Sequence, residues 1–522
     1  MSKLHSFLPL MLLILALGTS RAQDSSSSPQ PPAATPDTTQ QPETPPAPAF
    51  GQENPPPPVS ENPPISGIDQ PGLEPHAAPL SYLQPRLHLS ESADSNVADT
   101  LGGSAFHSVT RALGSVTLQR LWRNYKLALD FVGGAGYYSS HGIGFQQIEQ
   151  LDVDQRITWK RGQLGVRDSF SYLPEGNFGS AYGGMGGLGG TLGGGAFGGQ
   201  NVSLGGGQFG SLGQVPRIMN LSLVDVVENL TPKSSVTLTG GYGFVHFMGN
   251  SVDLSSGNQA SAQFLGSSQV SAQAGYDRIL GSHDQAALMY GYQGFNFSVS
   301  GLAFHSHVVQ LMWGHRISGR MDFLIAAGPQ ITRLSTACPL GDVSPPCTFL
   351  PATGLESGEV ASTRLSVAGR ATLRYKFPKT ALSVSFDRYT TSGSGFFPGA
   401  QSNIGRLSIK RPLGRVWGAF SDLGYARNGR VQTLSPTQLQ ACSLSNTNCP
   451  GIIAKTYSYG FAGLGVHRMF GRNFQAFATY QFNYLSLDSS FCGVGVSACN
   501  RISQRHVGTI GIDWIPRPKR LD

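Results

Sequence analysis

The stretch Arg364-Leu365-Ser366-Val367-Ala368-Gly369-Arg370-Ala371-Thr372-Leu373-Arg374-Tyr375-Lys376-Phe377 sorts its residues by parity. Odd positions carry Leu, Val, Gly, Ala, Leu, Tyr and Phe. Even positions carry Arg, Ser, Ala, Arg, Thr, Arg and Lys. Successive side chains of a strand point to opposite faces, so this segment predicts a strand with one apolar and one basic face. A soluble sheet buries its apolar face in a core. A membrane barrel turns that face to lipid and keeps the polar face in its lumen. The rest of the chain decides between the two.

The same alternation recurs between Tyr125 and Trp514, in segments of about ten residues each, which gives about sixteen strands. The connections alternate in length. Short turns fall at Arg161-Gly162, Thr231 to Ser234, Gly281 to Asp284, Ser318 to Arg320, Pro378 to Thr380, Pro412 to Gly414 and Gly471 to Asn473. Longer connections lie near 139–144, 174–217, 248–267, 298–303, 335–360, 392–402, 427–455 and 487–503. Tight turns at one end and long loops at the other belong to bacterial outer-membrane barrels. No fixed sequence period of the propeller or solenoid kind is present. Charged residues make up 13% of the chain, against roughly 25% in soluble proteins. No stretch beyond the N-terminus offers the ~18 apolar residues of a membrane helix. The basic residues form no compact run, so nucleic acid is not expected as a partner.

Residues 1–22 have the form of a secretory signal: Lys3, an apolar run from Phe7 to Leu17, and small residues at Ser20 and Ala22 before the cleavage point. Residues 23–80 are rich in Pro, Ser, Thr and Gln and hold half of the chain's 34 prolines. Such composition cannot offset ordering entropy, so a disordered, partly polyproline arm is expected. Residues 81–124 are harder to read, with a candidate strand at Val116 to Trp122. The barrel is assigned to 125–514, with a Gly-rich long loop at 174–217 and a tail at 515–522. Six cysteines form three local pairs, Cys338 with Cys347, Cys442 with Cys449, and Cys492 with Cys499, each inside one long loop. Three loop-local disulfides are expected, as suits an exported protein. Their spacing lacks the CxxC pattern and nearby His of a metal site, so neither metal nor other cofactor is expected.

The last strand, His506 to Trp514, places Gly508, Ile510, Ile512 and Trp514 on one face. It resembles the terminal strand of outer-membrane barrels, which usually ends in an aromatic residue, although here a tail follows. With the alternating segments of 125–514, the chain resembles Gram-negative outer-membrane β-barrel proteins of porin-like size. The resemblance implies an all-β, antiparallel transmembrane β-barrel of about sixteen strands, within a range of 14–18. It also implies a cell outer membrane location, with outer-membrane lipid and the barrel-assembly machinery as partners. The Pro-rich arm would reach the cell wall or a periplasmic protein.

Candidate functional residues follow from the parity. Arg364, Arg370, Arg374 and Lys376 share a face, as do Arg406 and Lys410 on the strand after next. Arg156, Lys160 and Arg167 belong to a second group, with Asp152 and Asp154 beside the first two, and Asp387 lies between the two basic strands. Charge facing hydrocarbon costs roughly 2–4 kcal/mol at the midplane, so these side chains are assigned to the lumen. There they would favour anions, or else form Arg–Asp pairs that stiffen the wall. Gly184-Met-Gly-Gly-Leu-Gly189 fits GxGxxG, but a Gly-rich run produces that by chance and lacks the strand–helix frame. No GxSxG elbow occurs, and His246, His305, His307, His315 and His467 lie singly on or beside apolar strands. A catalytic role is not expected. The Asn-x-Ser/Thr matches at Asn201, Asn220, Asn229 and Asn296 are read as coincidence. The expectation is a passive, porin-like channel with a partly basic lumen. The alternatives are a plugged structural or surface-interaction barrel, and an outer-membrane enzyme.

Overall fold

The computed structural model describes residues 81–97, 101–139, 144–173, 216–248, 251–253, 261–263, 266–297, 303–318, 320–337, 348–350, 355–357, 359–377, 379–391, 399–431, 454–489 and 500–521. The expected signal, the Pro-rich arm and the Gly-rich loop lie outside the described residues. So do all three expected disulfides, that of Cys338 with Cys347, that of Cys442 with Cys449 and that of Cys492 with Cys499. No helix among the described residues is long and apolar enough to cross a membrane.

Eighteen antiparallel strands close on themselves. They are β1 (Tyr82–Asp94), β2 (His107–Leu121), β3 (Tyr125–Tyr138), β4 (Gly144–Trp159), β5 (Gly162–Leu173), β6 (Arg217–Thr231), β7 (Ser234–Phe247), β8 (Ser267–Ile279) and β9 (Asp284–Phe297). The second half comprises β10 (Ala303–Ser318), β11 (Met321–Ala337), β12 (Glu359–Lys376), β13 (Ala381–Thr391), β14 (Ala400–Pro412), β15 (Trp417–Arg430), β16 (Thr456–Phe470), β17 (Phe474–Leu487) and β18 (Ile502–Trp514). Each strand pairs with its sequence neighbours, and β18 pairs back onto β1 from Leu87–Trp514 to Asp94–Val507. Two hairpins of three-residue strands, at Ser251–Asp253 with Ser261–Gln263 and at Thr348–Leu350 with Leu355–Ser357, stand outside the barrel.

The count is eighteen rather than about sixteen, at the upper limit of the expected range. Sixteen strands do span Tyr125 to Trp514; the other two come from 81–124, where the sequence offers only Val116 to Trp122 as a candidate. Pro85 obscures β1, because a proline inside a run argues against a paired strand. Here Pro85 lies where the ladder on the C-terminal side is interrupted. Leu87 pairs with Trp514, Tyr82 and Leu83 pair with Arg520 and Lys519, and Pro85 falls between them. The C-terminal tail is thus partly strand.

Polarity is inverted relative to a soluble sheet. Along β1 the exposed residues are Leu87, Leu89, Glu91 and Ala93, and the buried ones are His88, Ser90, Ser92 and Asp94. Around the barrel, Leu238, Leu288, Leu311, Ile325, Leu365, Leu464 and Ile510 all stand more than 45% exposed. Asp130, Gln269, Gln310, Asp422 and Asp513 are buried. All five tryptophans of the chain, Trp122, Trp159, Trp313, Trp417 and Trp514, are exposed and sit at the short-turn end. Amphipathic rings gather where hydrocarbon meets headgroups, so this row marks one membrane interface. The even strand number, the short turns at one end and the outward apolar band make this a membrane-spanning barrel of the bacterial outer-membrane kind. The tryptophan end is periplasmic and the long connections are extracellular.

Removing residues through Asp94 should open the sheet, leaving the facing edges of β2 and β18 unpaired in lipid, where each unsatisfied backbone group costs several kcal/mol. The expected result is loss of the compact, heat-modifiable band in detergent electrophoresis. A truncated chain that kept that band would refute closure through β1.

Candidate functional site

The inner wall is assembled by parity alone, since every second residue of each strand faces the lumen. On β12 these are the even positions: Ala368, Arg370 and Thr372 are buried, whereas Leu365 and Val367 on the odd face are exposed. The inner wall is polar over most of its extent, and many of its charges come in tied pairs. Arg370 lies opposite Asp387 of β13 at 3.3 Å, and Arg374 lies opposite Asp322 of β11 at 2.8 Å. Arg406 of β14 grips Asp422 of β15 through Nη2 at 2.6 Å and Nε at 3.1 Å, and Ser408 donates to the same carboxylate at 2.9 Å. Arg167 of β5 meets Asp225 of β6 at 2.9 Å, and Arg156 meets Asp154 two residues earlier on β4 at 2.8 Å.

The seam between β18 and β1 carries the most enclosed of these ties. His88 Nδ1 lies 2.7 Å from Asp513 Oδ1, with both side chains fully buried. Ser92 and Thr509 share a hydrogen bond of 2.9 Å. Arg505 reaches Asp94 through Nε at 2.9 Å and Nη2 at 2.5 Å. A charge-assisted fork of this kind fixes register as well as contributing energy.

One sector of the inner wall is apolar. Phe295 and Phe297 of β9, Phe304 of β10 and Leu334 of β11 form one cluster near the extracellular end. Ala287, Met289, Met312, Leu324 and Ala326 form another lower on the same three strands. At the mouth, the described residues of two connections pack inward. Val97 packs on Val109 of β2 and Tyr138 of β3, and Leu101 is fully buried with Gly102 bonded to the backbone of Ile502. Gly399 approaches Phe304 from four strands away, so closely that a Cβ there would stand 2.7 Å from the ring. Its φ of +88° is also one that side-chain-bearing residues rarely adopt.

Of the sequence-predicted wall residues, Arg156, Arg167, Arg370, Arg374 and Arg406 stand on the inner wall and each meets a carboxylate. Lys160 lies in the β4–β5 turn, at the periplasmic rim rather than on the wall. Arg364 is exposed above Gly369–Arg388, the last β12–β13 pair. Lys376 and Lys410 sit at the periplasmic ends of β12 and β14. His305 and His307 hydrogen-bond Tyr292 and Tyr290 on the outer face, and His315 pairs with Asp284 at the periplasmic rim. The seam residues His88, Asp94, Arg505 and Asp513 were missed by sequence reasoning, as was the apolar sector. The Leu87-His-Leu89-Ser alternation was the available signal for the seam.

No protein-family model matches the sequence, and no curated protein does. Solved structures with a similar backbone include Pseudomonas aeruginosa OccK2 (OpdF), at 9% identity and a TM-score of 0.37 over 83% of this chain and 98% of that one. The outer membrane protein opdK from Pseudomonas aeruginosa aligns at 10% identity and 0.36, over 83% and 99%. The ferric-catecholate import receptor Fiu from E. coli K12, in its open form, aligns at 7% and 0.39, over 86% and 82%. With TM-scores below 0.5, function has to be read from this wall itself.

Removing one partner of a buried pair strands a charge, at a cost of about 3–5 kcal/mol. Asp94→Ala should therefore lower the urea midpoint for loss of the folded band, and Asp94→Leu combined with Arg505→Leu should recover most of it. An unchanged midpoint in Asp94→Ala would show that the seam does not depend on this pair.

Proposed function

We propose that the chain is a passive, porin-like channel for small solutes with a partly basic lumen. The observation that supports this most directly is the inverted wall: polar and charged side chains inside a closed ring of eighteen strands, apolar side chains outside. Barrels of about 16–18 strands enclose more space than side chains fill and leave an aqueous path. Polar groups on the inner wall keep their hydration or pair with one another, as the Arg–Asp ties do. The apolar sector on β9–β11 then offers a dry strip beside a charged one, which suits solutes with both kinds of surface. The outward apolar face of β18, from Gly508 to Trp514, supports recognition by the barrel-assembly machinery. Because β1 starts at the short-turn end, the Pro-rich arm would lead into the periplasm, toward the cell wall or a periplasmic partner.

A second reading, a stopped barrel with a structural or surface-interaction role, draws on the mouth. There Val97, Leu101 and the Gly399–Phe304 contact narrow the opening from two sides. Hydrolytic chemistry finds less support. Of the His–Asp pairs among the described residues, His315–Asp284 faces outward at the periplasmic rim, away from the lumen, and His88–Asp513, with Ser90 3.0 Å from His88 Nε2, is fully buried in the seam.

Recording in planar bilayers separates the first two readings. The wild-type barrel should conduct. Arg370→Glu with Arg374→Glu should move the reversal potential toward cations, because fixed charge in a narrow pore biases ion occupancy. Asp387→Asn with Asp322→Asn should move it the other way by releasing the same two arginines. Both shifts should shrink near 1 M salt, where the screening length is ~3 Å. Unchanged selectivity in conducting variants would remove these residues from control of the pore. Absence of conductance in every variant would favour the stopped barrel.

A further inference from the structure

At the extracellular end of β12–β16 the outer face changes character within two residue rows. The lower rows are apolar or aromatic: Val384, Leu407 and Leu423 form one, and Phe386 and Tyr425 stand in the next. The row above them is Arg388–Asn403–Arg427, three residues paired across neighbouring strands and therefore on the same outward face. Above that comes Gln401–Gly429–Thr456. Arg364 and Arg430, which have the inward parity of β12 and β15, and Lys455 join these rows around a cavity of about 300 Å³. Its lining holds five cationic side chains and no carboxylate. Elsewhere on the inner wall Arg156, Arg167, Arg370, Arg374, Arg406 and Arg505 each sit against an aspartate. Here, among the described residues, Arg364, Arg388 and Arg427 have no such partner; the nearby carboxylate, Asp488, bonds the backbone of Thr456, lies outside the lining and acts on Arg430. Arg388 Nε is buried with no hydrogen-bond acceptor.

The strand pairing explains how this cavity arises. β13 is short and bonds β12 only from Gly369–Arg388 downward, whereas β12 continues upward to Glu359 on β11 alone. The rim is notched at that point, and Arg364 borders the notch.

We propose that this cavity binds a phosphate group carried by an anionic lipid of the outer leaflet. Two observations set the ligand class. Unpartnered guanidinium groups with amide and hydroxyl side chains between them match the acceptor oxygens of a phosphate, which guanidinium binds in a fork. Arg388, Asn403 and Arg427, on the outer wall directly above the apolar band, set the source: the phosphate of a lipid lies at this height while its acyl chains lie against Leu407 and Leu423. A charge cluster on the lipid face would otherwise be costly. The site depends on the membrane orientation and is independent of whether the lumen conducts.

The test is native mass spectrometry of the full chain in detergent, titrated with diphosphorylated lipid A, with its dephosphorylated form and with inorganic phosphate. The diphosphorylated lipid should bind at least about tenfold more tightly than the dephosphorylated one. Arg388→Ala with Arg427→Ala should abolish that preference while the heat-modifiable band persists. Arg388→Lys with Arg427→Lys, which keeps charge but loses the fork, should retain part of it, and Arg468→Ala at the periplasmic end should leave it intact. Equal binding of the two lipids, or an unaltered preference in the double alanine variant, would overturn the proposal. Inorganic phosphate that occupies the site with no lipid preference would overturn the lipid assignment and leave a soluble anion as the ligand.

Discussion

Everything in this molecule depends on one constraint: within hydrocarbon, no backbone N–H or C=O can be left without a partner. A sheet satisfies that only by having no edge. Eighteen strands achieve it because β18 returns to β1, and the seam is the place where closure could fail. The inner side of that seam is accordingly held by His88–Asp513, Ser92–Thr509 and Asp94–Arg505, three polar ties spread along one strand pair. The outer side contributes apolar residues, Leu87, Leu89, Ile510 and Ile512, which suit the lipid around them.

Once the sheet is closed, the two faces answer to different solvents. The outer face needs only to be apolar between two interfaces, and the tryptophan row records one of them. The inner face carries charge, and most of it is arranged as cross-strand pairs. Pairing limits the field each arginine projects into the lumen, so the potential along the wall depends on small imbalances between neighbours rather than on a simple sum of positive residues. The same arithmetic makes the basic cavity at the β12–β13 notch conspicuous, because Arg388 and Arg427 stand on the outer face with no aspartate opposite them among the described residues.

Fold class was legible because the period of two is uninterrupted over long segments such as 364–377, and because turn lengths alternate. Strand boundaries at the periplasmic turns, from Arg161-Gly162 to Gly471 through Asn473, could be read from Gly, Pro and charged residues alone. β1 was not legible for a local reason, Pro85, whose missing N–H falls in a gap of the ladder that only the three-dimensional pairing reveals. The basic face of β12 was legible from parity. Its pairing with Asp387 and Asp322 was not, since the partner across a strand depends on register, and register is fixed by turns and closure rather than by either strand. The notch between β12 and β13 was hidden for the same reason: nothing in the composition of 381–391 says where its bonding to β12 stops.

Closure through the first and last strands has a consequence for biogenesis. His88 and Asp513 are 425 positions apart, so the bond that seals the sheet is among the most remote in the chain. Contacts of such separation form slowly, because the loop entropy must be met before they yield anything. Until the C-terminal strand is in place, β1 is paired on the β2 side alone, and its other edge is open to any exposed strand. Arg517, Lys519 and Arg520 lie beside the closing pair, where their charge discourages pairing with a second copy.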